Sequence, residues 1–551
     1  MNIEGTLIRD AGATSAGCRR DRPVDAAPAP SRASAWSRVT IATLCLWLAL
    51  FLLELIASVL LCGGRLVFTL DDPYIHLAVA DHILSGGYGV NASEFSSPSS
   101  SILWPYLLAL TEALHLGGLG PLLINASAAA ATLIAMLRLF ATVGMFDRAD
   151  DRPIAYAAAG LTILITSAIA LPMTGMEHSL HVWATVITFS GLVAAARGQT
   201  PKPSHFVALV LLPLIRFEGL ALAGAAVVAF ALLGRVRFAV VAAALIGAAL
   251  SAYAVLMTAR GLPLLPSSVL LKSRLAENAY EHRGLVGSIV QNLQASLTNP
   301  YGQRLALLGF AIAAGTWWLR VDRRARIVCA CVLAAIGAHI VGGQYGWFYR
   351  YEVYVIALAV AALVWIVTSV RPQLSARGWL VGKSMLLLLM IFAGSPYLSA
   401  ALITPFAARG VYEQQYQMGR FAREFYPHPV AVNDLGLVAY TNPNFVLDLW
   451  GLGSEDVRKA RLVGQYGPAE IAALVDHHHV GLVMVYDSWF PQGLPSSWTK
   501  VAVLHTTPVT AAAGDVAFYR TPSSDRDEVM RALRGFEPTL PPRVSLDITT
   551  R

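Results

Sequence analysis

Three observations predict a polytopic, all-α membrane bundle followed by a C-terminal α/β domain. Hydrophobic residues make up 56% of the 551 and charged residues only 14%, against about 25% charged in soluble domains. Apolar stretches recur through residues 39–404, and several are long enough to cross a hydrocarbon core of about 30 Å, which takes about 20 helical residues. Residues 405–551 change character and alternate short apolar runs with turn signals.

The first 38 residues are polar, rich in Ala, Pro and Ser, and carry Arg9, Arg19, Arg20, Arg22, Arg32 and Arg38. They read as a disordered cytoplasmic tail. The apolar run that follows is too long for the core of a cleavable signal. Further apolar segments lie at 101–116, 118–143, 154–172, 179–197, 204–215, 217–233, 236–257, 303–319, 326–342, 353–370 and 379–403. The segment 101–116 carries Pro105 and Glu112 and is expected to lie on the surface, within a first outer loop spanning 63–117. About eleven spans remain. With the N-terminus inside, the connectors around Arg148 and Arg152, Arg197 and Lys202, Arg235 and Arg237, Arg320 to Arg326, and Arg371 to Arg377 all fall on the cytoplasmic side, as the positive-inside rule asks. That distribution explains the net charge of +7 without nucleic acid. The five cysteines form no CxxC pair, so neither a disulfide framework nor a zinc ribbon is expected.

In the C-terminal part, Val430–Val432 and Val480–Val485 read as buried strands, with Ala469–Asp476 the helix before the second. His477, His478 and His479 resemble a metal run, but no carboxylate or Cys accompanies them at ligand spacing, so packing is the favoured reading. Glu54, inside the first span, is read as a structural acid rather than a site residue. The aromatic clusters at outer span ends are read mainly as an interfacial belt.

The most informative stretch is 69–104, TLDDPYIHLAVADHILSGGYGVNASEFSSPSSSILW. Two adjacent carboxylates, Asp71 and Asp72, follow the first span. Ile75, Leu77, Val79 and Ile83 sit at helical spacing, and Pro73 suits a first helical turn. Either Asp can cap this helix, and either can act as a general base. Both assignments stay open. Arg216, embedded in LVLLPLIRFEGLALAG, is a costly isolated charge unless Glu218 pairs with it. Lys272 and Arg350 are further outer-face cations, for which interface snorkelling or, for Arg350, a pair with Glu352 are the plain alternatives.

This stretch resembles the first periplasmic loop of GT-C-type glycosyltransferases, nearest to the mycobacterial terminal arabinofuranosyltransferases. Gly175-Met176-Glu177, Arg216-Phe217-Glu218-Gly219, Leu265-Pro266-Ser267-Ser268 with Lys272, Gly342-Gly343 with Arg350-Tyr351, and Val432-Asn433-Asp434-Leu435-Gly436 resemble that group's later motifs in the same order. The chain departs from the group with Phe217 in place of Pro, and with Gln344 where Asp is common.

The resemblance implies a GT-C-like fold in a bacterial plasma membrane, with the active site and C-terminal domain periplasmic. It implies an inverting enzyme moving a sugar, such as arabinofuranose, from a polyprenyl-phosphate donor to an envelope glycan or glycolipid. Asp71 or Asp72 would be the base, by analogy with inverting glycosidases. Arg216, Lys272 and Arg350 would bind the donor phosphate, and Glu177, Glu218, His76 and Tyr351 would hold the sugar. A divalent metal at the paired carboxylates stays open, since some relatives use one and others do not. The rival class is a transporter or flippase of a lipid-linked sugar; many transporters carry a repeated half, and this sequence shows no internal repeat.

Overall fold

A computed structural model describes residues 32–145, 152–272, 284–319 and 321–549, with the side chains of 32–35, 272 and 284–285 outside that description. Most of the N-terminal tail and the expected inner-loop residues Arg148 and Arg320 therefore lie outside the described residues.

Among the described residues, seven helices are long and apolar enough to cross a membrane: Trp36–Leu61, Leu119–Val143, His178–Ala196, Val236–Thr258, Arg323–Gly342, Val353–Gln373 and the stretch Ala376–Phe425. By that criterion the chain is a membrane protein. The other four of the eleven expected segments are also helical, but three are shorter: Arg152–Ile165, Pro203–Ile215 and Gly219–Leu232. The fourth, Pro300–Trp318, opens on the polar run Tyr301–Arg304. Local chemistry accounts for the shortening. Ser167 sits at φ 47°, a left-handed turn that follows Arg152–Ile165. Arg216 adopts an extended conformation at the end of Pro203–Ile215, at the expected break between segments 204–215 and 217–233. The segment 101–116 forms only the ten-residue helix Trp104–Ala113.

Side-chain distribution fixes how the helices pack. Val353–Ser369 is apolar all round and buried along nearly its whole length, which places it at the centre of the bundle. The first helix instead leaves Leu46, Leu53, Ile56 and Leu60 exposed, the pattern of a lipid-facing helix. The helix Ala376–Glu413 has 38 residues, about 57 Å at 1.5 Å per residue. It carries the chain from the bundle into the C-terminal domain, across the expected boundary at 404–405.

That domain holds a six-stranded mixed sheet in the order β2-β1-β3-β5-β4-β6. Strands β1 (Val430–Val432), β2 (Val446–Asp448) and β3 (Leu482–Val485) are mutually parallel. Strands β4 (Thr499–His505), β5 (Asp515–Arg520) and β6 (Ser545–Ile548) complete it antiparallel. Two of the three parallel strands are the expected ones, and the helix before β3 runs Pro468–His477. In open α/β sheets, ligands gather at the carboxyl ends of parallel strands. Here those ends face the bundle.

The segment between the first span and residue 117 is clasped onto this domain. Asn91 exchanges two hydrogen bonds with the backbone of Val446, at 2.9 and 3.0 Å. The Glu455 N–H donates to Glu94 (2.8 Å), and the Thr510 hydroxyl donates to the Thr69 carbonyl (2.6 Å).

Candidate functional site

The site begins where the first span ends. Helix Asp72–Leu84 starts as its sequence predicts, with Pro73 in the first turn and Asp71 at the N-cap position. Asp71 does not cap its own helix. Its carboxylate accepts the N–H groups of Gly436 (2.5 Å) and Leu437 (2.8 Å), so it caps the short helix Gly436–Ala439 of the C-terminal domain. Position 436 must be glycine, because a Cβ there would run into the Asp71 backbone and carboxylate. Asp71 is buried and sits beside Asp434, which accepts from Gln415 (2.8 Å) and from the Tyr486 hydroxyl (2.9 Å).

Burial and the neighbouring Asp434 hold the Asp71 carboxyl well above the ordinary carboxylate range, against the pull of its two N–H donors. Burial, with Asp72 nearby, also raises Asp434. Two adjacent buried carboxyls favour a shared proton. Folded-state values above the unfolded ones mean the clasp is fully intact below about pH 4 and weakens as pH rises through the raised values. Asp434→Asn is therefore expected to flatten that decline. Thermal unfolding of wild type and variant across a pH series checks it, and parallel curves would contradict it.

Asp72 points the other way. It forms an ion pair with Arg350 (Nη2 to Oδ2, 2.6 Å) and keeps a side chain 20% exposed. Arg350 also donates to the Tyr351 hydroxyl (3.0 Å), while Glu352 takes the Gly346 N–H (3.1 Å) rather than pairing with Arg350. Burial works against the Arg350 charge, but Tyr351 and Asp72 outweigh it and hold the guanidinium above its ordinary value. Arg350 is 2% exposed, and its Nε and Nη1 are buried without a protein acceptor. Leaving charged donors unmet in the interior costs several kcal/mol. Such a group is poised for an anion.

Arg216 is occupied differently. Its two terminal nitrogens are taken by Glu177 (2.5 Å) and Glu218 (2.6 Å), and Ser100 donates to the same Glu177 oxygen (3.2 Å). Burial disfavours the Arg216 charge, but Glu218 and Glu177 restore it and carry it above the usual range. Burial alone would raise Glu218; Arg216 brings it down to about 2. The Tyr351 ring lies 5.6 Å from the Arg216 guanidinium and 4.9 Å from that of Arg350, linking the two clusters.

Two cavities meet at this junction. One, of 340 Å³, is lined by His76, Arg216, Glu218 and His339 among others and lies toward the bundle. The other, of 480 Å³, is lined by Asp434, Trp450 and Trp489, at or just beyond the carboxyl ends of β1, β2 and β3. Asp72, Arg350 and Tyr351 line both. Of the nine residues singled out from the sequence, Asp72, His76, Arg216, Glu218, Arg350 and Tyr351 converge on the first cavity. Glu177 backs it through Arg216, and Asp71 faces the second. Lys272 ends the helix Ser267–Lys272, and its side chain lies outside the described residues.

Several further buried groups border the site. Ser96, Ser97, Ser267 and Ser268 are buried with hydroxyls lacking a protein partner, and the Ser267 N–H donates to the Ser97 carbonyl (2.9 Å). For Ser96 and Ser97 the density of serine in FSSPSSS was the available signal, and Ser267 and Ser268 stood in the Leu265–Ser268 motif. His178, fully buried near both arginines, offered none.

Residues 406–519 match a family described as a domain of unknown function, DUF8728. No curated protein is similar in sequence. Among solved structures, the chain is similar to the oligosaccharyltransferase of Archaeoglobus fulgidus. Its apo form shares 11% identity over 85% of this chain and 74% of that one, with a TM-score of 0.42. Its complex with Zn and sulfate shares 14% over 90% and 74%, with a TM-score of 0.43. Its complex with an inhibitory peptide and a dolichol-phosphate shares 10% over 87% and 75%, with a TM-score of 0.40. Likenesses this loose transfer no residue roles.

Proposed function

We propose that this protein transfers a sugar from a polyprenyl-phosphate donor to a hydroxyl of an envelope glycan or glycolipid, on the membrane face that carries the C-terminal domain. The observation that carries this reading is Arg350: a buried guanidinium with two unmet donors, paired to a partly exposed carboxylate, in the wall between two cavities. The bundle-side cavity takes the donor, whose phosphate accepts from one of the two free Arg350 donors, Nε or Nη1. Glu218, Arg216 and His76 line the space for its sugar. The second cavity takes the acceptor, with Trp450 and Trp489 offering flat apolar faces suited to a sugar ring.

The acceptor hydroxyl attacks the anomeric carbon while its proton passes to Asp72. The bond from that carbon to the phosphate oxygen breaks, and Arg350 stabilises the charge that gathers on the departing lipid phosphate. A phosphate is already a good leaving group, so no strong general acid is required. Attack from the face opposite the leaving phosphate inverts the anomeric centre. Asp71, committed to two backbone N–H groups, positions the C-terminal domain instead of taking the proton. The sugar is a hexose or pentose, with arabinofuranose the first to test. Comparing envelope glycan composition with and without the protein tests the reading. Loss of one terminal sugar is expected, and an unchanged composition contradicts it.

A further inference from the structure

The C-terminal domain carries a second cluster, remote from Arg350 in sequence and in chemistry. Asp456, in the first turn of helix Glu455–Leu462, lies beside His477 and His478 at the end of helix Pro468–His477. One ligand atom from each residue lies within 4.8 Å of the other two, and His478 Nε2 is 3.8 Å from Asp456 Oδ2. Around an ion bound at about 2.0–2.2 Å in tetrahedral geometry, neighbouring donors stand about 3.3–3.6 Å apart. Small side-chain movements close the difference.

The surroundings fix the imidazoles. The His478 ring stacks on Phe445 at 4.6 Å, with 10° between planes, and meets the His477 ring at 4.9 Å. His479 takes the left-handed conformation, φ 51°, and ends the helix with the Val480 N–H donating to the Val475 carbonyl (3.0 Å).

We propose that Asp456, His477 and His478 form a site for a zinc-class divalent cation on the C-terminal domain. Two imidazoles and one carboxylate suit Zn²⁺ or its borderline neighbours and not Mg²⁺ or Ca²⁺, which prefer all-oxygen sets. Three protein ligands leave a fourth position for water or an incoming group. The bound ion fastens helix Glu455–Leu462 to helix Pro468–His477. The first of these carries Arg461, whose guanidinium stands 3.8 Å over the Trp450 ring, so the site also steadies one wall of the second cavity.

The full-length protein, purified in detergent on an affinity tag without histidines, is titrated with Co²⁺ as a spectroscopic stand-in for Zn²⁺. One equivalent is expected to bind with the visible absorption of a four-coordinate site, to be displaced by Zn²⁺ and to be unaffected by Mg²⁺. Asp456→Asn, His477→Ala and His478→Ala are each expected to weaken binding by roughly 10- to 100-fold or more. The double variant His477→Ala/His478→Ala should bind none. Asp456→Asn and His477→Ala should keep the wild-type metal-free unfolding temperature, because both residues are exposed. Absence of stoichiometric uptake by the wild type, or uptake that survives in the double variant, overturns the proposal.

Discussion

Asp72→Asn is expected to reduce sugar transfer by roughly 10²- to 10⁴-fold, the usual contribution of a positioned general base. The amide keeps the shape of the carboxylate but cannot accept the proton. It also removes the anionic partner of Arg350, only 2.6 Å away. A guanidinium relieved of its carboxylate binds another anion at least as well as before. The variant should therefore hold a polyprenyl phosphate as tightly as wild type, or more tightly, while failing to turn over. Transfer measured in membranes, beside lipid-phosphate binding to the purified protein, separates these effects. Equal loss of both would mean that Asp72 shapes the site without acting in the reaction.

Arg350→Ala should give the opposite split. It removes the buried donor offered to the phosphate together with the positive charge, and a charge-assisted hydrogen bond is worth about 1.5–3 kcal/mol, a factor of ten or more. Binding of a polyprenyl phosphate should weaken by roughly 10²-fold or more, and transfer should fall at least as far. Arg350→Lys should rescue little. An ammonium is a point charge and cannot present paired donors in a fixed plane, nor replace the stacking of the guanidinium against Tyr351. Full function in the lysine variant would reduce Arg350 to a source of charge alone.

Both predictions rest on features that the sequence disclosed unevenly. Helix Asp72–Leu84 was legible because Pro73 and the spacing of Ile75, Leu77, Val79 and Ile83 are local signals. Strands β1 and β3 were legible because buried parallel strands are continuous apolar runs. The division of labour between Asp71 and Asp72 was not. It depends on Gly436 and Leu437, more than 360 residues away along the chain. Asp434 stood in a recognised motif, yet only folding shows it beside Asp71 at the mouth of the second cavity. Arg216 and Glu218 were legible as a pair, since they are two residues apart. That Glu177 also claims the arginine required the bundle to close. The same holds for His477 and His478: Asp456, the carboxylate that faces them, comes from a neighbouring helix. The break at Arg216 was legible between two apolar runs, whereas apolar composition does not reveal where a turn such as Ser167 cuts a helix short.

The central claim is that Arg350, between the two cavities, seats the donor phosphate. Determining the position of a polyprenyl phosphate bound to the full-length protein by electron cryo-microscopy tests it most directly. The phosphate is expected within hydrogen-bonding distance of Arg350 Nε or Nη1, its isoprenoid chain leaving through the bundle-side cavity. Density for the phosphate anywhere else, with Arg350 still bound only to Asp72 and Tyr351, would contradict the account.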